Sequence, residues 1–136
     1  MHKIVLITWG SLFIEIVPIL AQEQVAGQGE VFVGVNGANE FGPLVLCGAG
    51  GVLVELMGGV QGALAPLTQR DVRSILAAFS ANPVFRGYRG AKPMDPAAFA
   101  GVLAASNRLA LGTRDWLRSI DVNPLIYDGE RFVAVD

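Results

Sequence analysis

Asp121-Val122-Asn123-Pro124-Leu125-Ile126-Tyr127-Asp128-Gly129-Glu130-Arg131-Phe132-Val133-Ala134-Val135-Asp136 closes the chain with the pattern of a β-hairpin. Asp128-Gly129 lies between apolar runs, the pattern of a two-residue hairpin loop, because both turn positions need positive φ and these residue types tolerate it. Such a loop sets Tyr127 opposite Glu130, Asn123 opposite Ala134 and Asp121 opposite Asp136. Side chains alternate along a strand, so Asp121, Asn123, Ala134 and Asp136 would share one face. Carboxylates and an amide oxygen gathered there suit Mg²⁺ or Mn²⁺, which prefer oxygen donors. The same residues also read as the polar end of a small surface hairpin.

A chain of 136 residues makes one ordinary domain with room for one core. With 52% hydrophobic residues, 16% charged and a mean hydropathy of +0.49, the chain is ordered and has apolar surface to bury against something beyond itself. A net charge of -2 without a basic run leaves no footprint for nucleic acid. Cys47 is the single cysteine and His2 the single histidine. That excludes an internal disulfide, a Cys/His zinc cluster and a Ser-His-Asp triad within the chain. A phosphohistidine would need His2 or another polypeptide.

Met1-His2-Lys3 followed by Ile4 to Leu20 has the outline of a signal peptide or short anchor. Glu15 inside the run, Pro18 interrupting it and Ile19 where cleavage after Ala21 wants a small residue all argue against export. The run is also short for a spanning helix. A buried strand or helix, or an N-terminus foreign to the original domain, is the better reading, with a cytoplasmic location and no membrane role.

Strands are expected over Ile19 to Val25, Gly29 to Val35, Gly42 to Cys47 and Val60 to Pro66. The glycine-rich run from Cys47 to Gly59 could offer backbone N–H groups to a phosphate, or form a tight turn against a neighbouring strand. It lacks the Lys-Ser/Thr of a P-loop. Thr68 with Asp71 reads as a capping box before a helical stripe of Val72, Ile75, Leu76 and Phe79, stopped by Asn82-Pro83. Arg86 to Gly90 reads as a basic connector. Asp95 caps a second helix with Pro96 at its first position, and Thr113 is expected to open a short third helix carrying Trp116, Leu117 and Ile120. Strands, then helices, then a hairpin make an α+β fold, with helices on one side of a mainly antiparallel sheet.

Several ordered stretches resemble the ATP-grasp part of NDP-forming acyl-CoA synthetases, including ADP-forming acetyl-CoA synthetase beta subunits and related fused protein acetyltransferases. They are Ile19-Leu20-Ala21-Gln22-Glu23-Gln24-Val25, Gly29-Glu30-Val31-Phe32-Val33-Gly34-Val35, Phe41-Gly42-Pro43-Leu44-Val45, Gly48-Ala49-Gly50-Gly51-Val52-Leu53-Val54-Glu55, Leu64-Ala65-Pro66-Leu67, Arg86-Gly87-Tyr88-Arg89-Gly90 and Asp121-Val122-Asn123-Pro124-Leu125. The likeness implies a C-terminal ATP-grasp lobe over 19–136, preceded by an atypical segment over 1–18. It further implies ATP or ADP held between two sheets with Mg²⁺ (or Mn²⁺), in chemistry that joins an acyl group to coenzyme A through acyl-phosphate and phosphohistidine intermediates. By resemblance, Asn123 and Asp136 are the metal ligands, Asp121 supports them, and Glu23 meets the adenosine. Glu30 and Glu55 match acidic positions near the site.

There are departures from the family pattern. Ala63 replaces an arginine expected before Leu64-Ala65-Pro66-Leu67, removing an implied phosphate contact. The first lobe with its phosphate-binding lysines is expected before Ile19, where only Lys3 stands. The implied chain is a truncated, split or degenerate ligase piece. It would be inactive without a separate chain supplying the first lobe and the coenzyme A binding domains. The alternatives are a non-catalytic docking or homodimerisation module and, on residues 4–20 alone, an anchored or exported protein.

Overall fold

The computed structural model describes residues 2–8, 15–21, 24–27, 29–50, 59–87 and 90–135. Two strands come first, β1 (His2–Thr8) and β2 (Glu15–Ala21), paired antiparallel with His2 opposite Ala21. The early apolar run is thus a strand pair, and the strand expected over 19–25 runs earlier in the chain. Among the described residues no helix is long and apolar enough to cross a membrane.

The remaining strands are β3 (Glu30–Asn36), β4 (Leu44–Ala49), β5 (Gln61–Leu64), β6 (Ser119–Tyr127) and β7 (Phe132–Ala134). They form one antiparallel sheet in the order β5-β4-β3-β6-β7. Alternation on β3 buries Val31, Val33 and Val35, and on β4 it buries Val45 and Cys47, all towards the helices.

Helix α1 (Gln69–Ala81) starts as its sequence dictates. The Thr68 hydroxyl accepts from the Asp71 N–H at 3.2 Å, while the Thr68 N–H donates to the Asp71 carboxylate at 2.8 Å. Helix α2 (Pro96–Thr113) is capped by Asp95, whose carboxylate accepts from the Ala97 N–H at 2.9 Å. Phe99, Leu103, Ser106 and Ala110 make its buried face at i, i+4, i+7 and i+11. The Ser106 hydroxyl is satisfied by donating to the Val102 carbonyl at 2.9 Å. Phe79 of α1 stacks on both Phe85 and Phe99, and Phe132 of β7 tilts against Phe99, so one aromatic column joins both helices to the sheet. The Leu67 N–H donates to the Asn107 side-chain oxygen at 2.9 Å, tying the β5–α1 connection to α2. The architecture is the expected α+β one, with a helix layer covering one sheet face; among the described residues no helix covers the other, the open face.

Two expectations are corrected. Thr113 ends α2 instead of opening a third helix: its hydroxyl donates to the Leu109 carbonyl at 2.7 Å, and the N–H of Leu117 closes a last turn on the Thr113 carbonyl. Ile120 belongs to β6, recruited by pairing with Val35. The terminal hairpin also has a longer loop. Tyr127 pairs with Phe132, leaving Asp128 to Arg131 as the loop, because the Asp128 carboxylate accepts from the N–H groups of both Glu130 and Arg131 at 2.9 Å. Gly129 supplies the positive φ of 109°. Ala134 therefore sits opposite Leu125, not Asn123.

Candidate functional site on the open sheet face

The site is made by an irregularity in β6. Val33 of β3 pairs with Val122, but Val31 pairs with Leu125, so β6 carries one residue more than β3 across this step. This is a β-bulge at Asn123-Pro124, where proline has no N–H to give the ladder. The bulge switches the faces of β6. Before it, Ile120 and Val122 pack against the core while Asp121 and Asn123 are exposed on the open face; after it, Leu125 and Tyr127 are buried in the core. Asp121 and Asn123 therefore share the open face as expected. Ala134 does not join them, since its partner Leu125 turns to the core.

Asp121 stands directly opposite Gly34 on β3. Phe32 stands opposite Gly48, Leu46 opposite Gly62, and Glu30 opposite Ile126, so the open face is an apolar floor with oxygen donors along one side. Glu30 is exposed at the start of β3, and its backbone carbonyl accepts from the Gly50 N–H at 2.8 Å. The N–H of Gly50, within the glycine-rich run, is thus used against the neighbouring strand. Glu23, Glu55 and Asp136 lie outside the described residues, as do Tyr88 and Arg89 of the basic connector. Among the described residues no three His, Cys, Asp or Glu side chains converge in metal-binding geometry. The hard oxygen donors Asp121 and Asn123 nevertheless fit a Mg²⁺ ligand set completed from elsewhere.

Ala63 pairs with Val45 and packs against the core. A longer side chain there would enter the helix-covered layer, not the face bearing Asp121. That covered layer also holds a cavity of about 310 Å³ bounded by Cys47, Gln61, Ile75, Phe79, Asn82 and Phe85. Burial pushes the Cys47 thiol up to about 12, so it is neutral and unreactive at neutral pH. The residue that pattern reading passed over is Gly34, whose only signal is an isolated glycine inside an alternating strand.

Residues 14–136 match the family described as ATP-grasp domain. The chain belongs to the ATP-grasp family. It is similar to the beta subunit of ADP-forming acetate–CoA ligase I of Pyrococcus furiosus, with 32% identity over 94% of this chain and 51% of that subunit. Among solved structures it resembles acetyl-coenzyme A synthetase 1 of Ca. Korarchaeum cryptofilum in complex with coenzyme A and Ca-AMPCP, with a TM-score of 0.75 and 32% identity over 90% of this chain and 53% of that one. A complex of the same synthetase with coenzyme A and Mg-AMPPCP matches with a TM-score of 0.69 and 31% identity over 82% of this chain and 52% of that one. The chain spans about half the length of that subunit.

Proposed function

We propose that this chain is the half of an ADP-forming acyl-CoA synthetase ATP-grasp unit that presents a divalent metal and ADP or ATP on its open sheet face. The single observation that carries this is Asp121 and Asn123 exposed together on the face opposite the helix layer, just before the bulge at Asn123-Pro124 that turns Leu125 inward. Asn123 and Asp136 would hold the Mg²⁺, with Asp121 beside them and Glu23 near the adenosine. When bound, that ion would neutralise phosphate charge, the main requirement of phosphoryl transfer.

The chain's own residues supply placement. The apolar floor around Phe32 and Leu46 excludes water from one side of a ligand, and Asp121 and Asn123 orient the polar part. A histidine that carries the phosphoryl group, the first lobe and the coenzyme A site would come from outside these residues, on a longer chain or on a partner polypeptide in the cytoplasm. On this reading the isolated chain does not make acyl-CoA.

Titration of the chain with Mg-ADP, followed by NMR or calorimetry, tests the site. Saturable binding that is lost in the Asn123→Ala, Asp136→Ala double variant is expected. Binding unaffected by that double variant would remove the metal assignment.

A second reading, a docking or homodimerisation module that keeps the fold without catalysis, is favoured by the exposure of Phe41 (81%), Leu64 (41%) and Trp116 (71%). Light scattering separates the two: a concentration-independent monomer that binds Mg-ADP supports the first, and a nucleotide-indifferent dimer supports the second.

A further inference from the structure

Gly34 interrupts the valine alternation of β3 on its open side, yet it is itself buried. A Cβ built on it would lie 2.5 Å from Oδ1 of Asp121 and 3.4 Å from the carbonyl oxygen of Ile120. The Asp121 carboxylate therefore lies across β3 in the volume that any side chain at position 34 would claim.

The same arrangement occurs twice more on this face. A Cβ on Gly48 would lie 2.7 Å from Cε1 of its cross-strand partner Phe32, and one on Gly62 would lie 2.7 Å from Cδ2 of its partner Leu46. In those pairs the side chain that lies over the glycine is apolar and covers the strand. Of these three pairs, only the one at Gly34 has a charged side chain over the glycine, a group that can address a ligand.

We propose that Gly34 is a positioning residue for the open face. By leaving its Cβ volume empty, it keeps the Asp121 carboxylate low across β3 and in line with Asn123, where it supports the metal ligands beside it. The inference rests on the function proposed for that face. Of the groups around Gly34, the carboxylate is the one able to move, since the Ile120 carbonyl belongs to the β-ladder. An alanine at 34 thus lifts Asp121 off the sheet by rotation about χ1 and leaves the strand pairing in place.

The test compares Gly34→Ala, Asp121→Ala, the double variant, and Gly101→Ala as a control on α2, where an added Cβ meets nothing within 4 Å. The Asp121 χ1 rotamer is read from three-bond NMR couplings, and affinity for Mn²⁺ with ADP is read from paramagnetic relaxation. Gly34→Ala is expected to change the rotamer and weaken Mn²⁺-ADP binding about 10-fold, the low end of losses when a group supporting a metal ligand is displaced. That loss disappears when Asp121 is already alanine, and Gly101→Ala changes neither reading. An unchanged Asp121 rotamer, or an equal loss with and without the Asp121 side chain, overturns the proposal.

If the parent chain binds no Mn²⁺-ADP, the function proposed for the face fails. The rotamer then still decides whether Gly34 holds Asp121. If Gly34→Ala does not fold, the double variant is expected to fold because the obstructing oxygen is gone; a double variant that stays unfolded overturns the proposal.

Discussion

Asp128 shows how one side chain sets a register. Its carboxylate takes the N–H groups of Arg131 and Glu130, and these bonds, that from Arg131 first, hold its pKa below the ordinary 3.8. A two-residue turn would leave those bonds unmade, which is why the Asp-Gly signal located the hairpin correctly but undercounted its loop. Asp121 and Asn123 were legible as neighbours on one face because alternation is local. Ala134 was misplaced because its face depends on the loop length and on the bulge. Cys47 makes a separate prediction. Buried and neutral, with its thiol near 12, it should label with a thiol reagent at neutral pH only as fast as the core opens. Labelling that rises in proportion to added denaturant-induced unfolding is the expected result, measured by mass spectrometry.

Among the elements, α1 is the one most fully written in local sequence. Thr68 and Asp71 satisfy one another's backbone groups, so Thr68→Ala should destabilise the chain by about 1 kcal/mol in denaturant melts. The Thr68 hydroxyl and then its N–H lower the Asp71 pKa from the ordinary 3.8. A carboxylate with a depressed folded pKa contributes stability that is complete above its unfolded value and is lost as pH falls through the folded value. Melting temperatures should therefore drop on acidification below about pH 4, and drop less in a variant with Asp71→Asn and Asp128→Asn together. The third helix expected from Thr113 fails at this scale. A threonine hydroxyl can cap the next helix or bond back to the preceding turn, and nothing in the neighbouring residues chooses. β3 chooses, by drawing Ser119 and Ile120 into pairing with Asn36 and Val35.

At the scale of the whole molecule, the sheet has one covered and one open face, and the aromatic column fastens the cover. Phe99 has no exposed surface and contacts rings from α1 and β7. Phe99→Ala should cost about 3–5 kcal/mol, seen as a lower denaturant midpoint with an unchanged slope. The open face carries the oxygen donors Asp121 and Asn123 beside an apolar floor. The implied phosphate role of an arginine at position 63 does not transfer to this face, because Ala63 packs on the other side of the sheet. Pattern alone could not separate those sides, since β5 is short and only its pairing with Val45 assigns the face.

By itself the sequence determined the features that depend on neighbours a few residues apart. These are the α+β order, the capped starts of both helices, the valine face of β3, and Asp121 and Asn123 as a pair on β6. Tertiary structure decided the features that depend on a second strand. Pairing with β3 made Ser119 and Ile120 strand instead of helix, and the extra residue at Asn123-Pro124 was absorbed as a bulge that turned Leu125 inward. The open side of the sheet also placed Asp121 over Gly34. The physical reason is that periodicity encodes which residues share a face, whereas register, bulges and close approaches are set by hydrogen bonds and volumes contributed by residues distant in the chain.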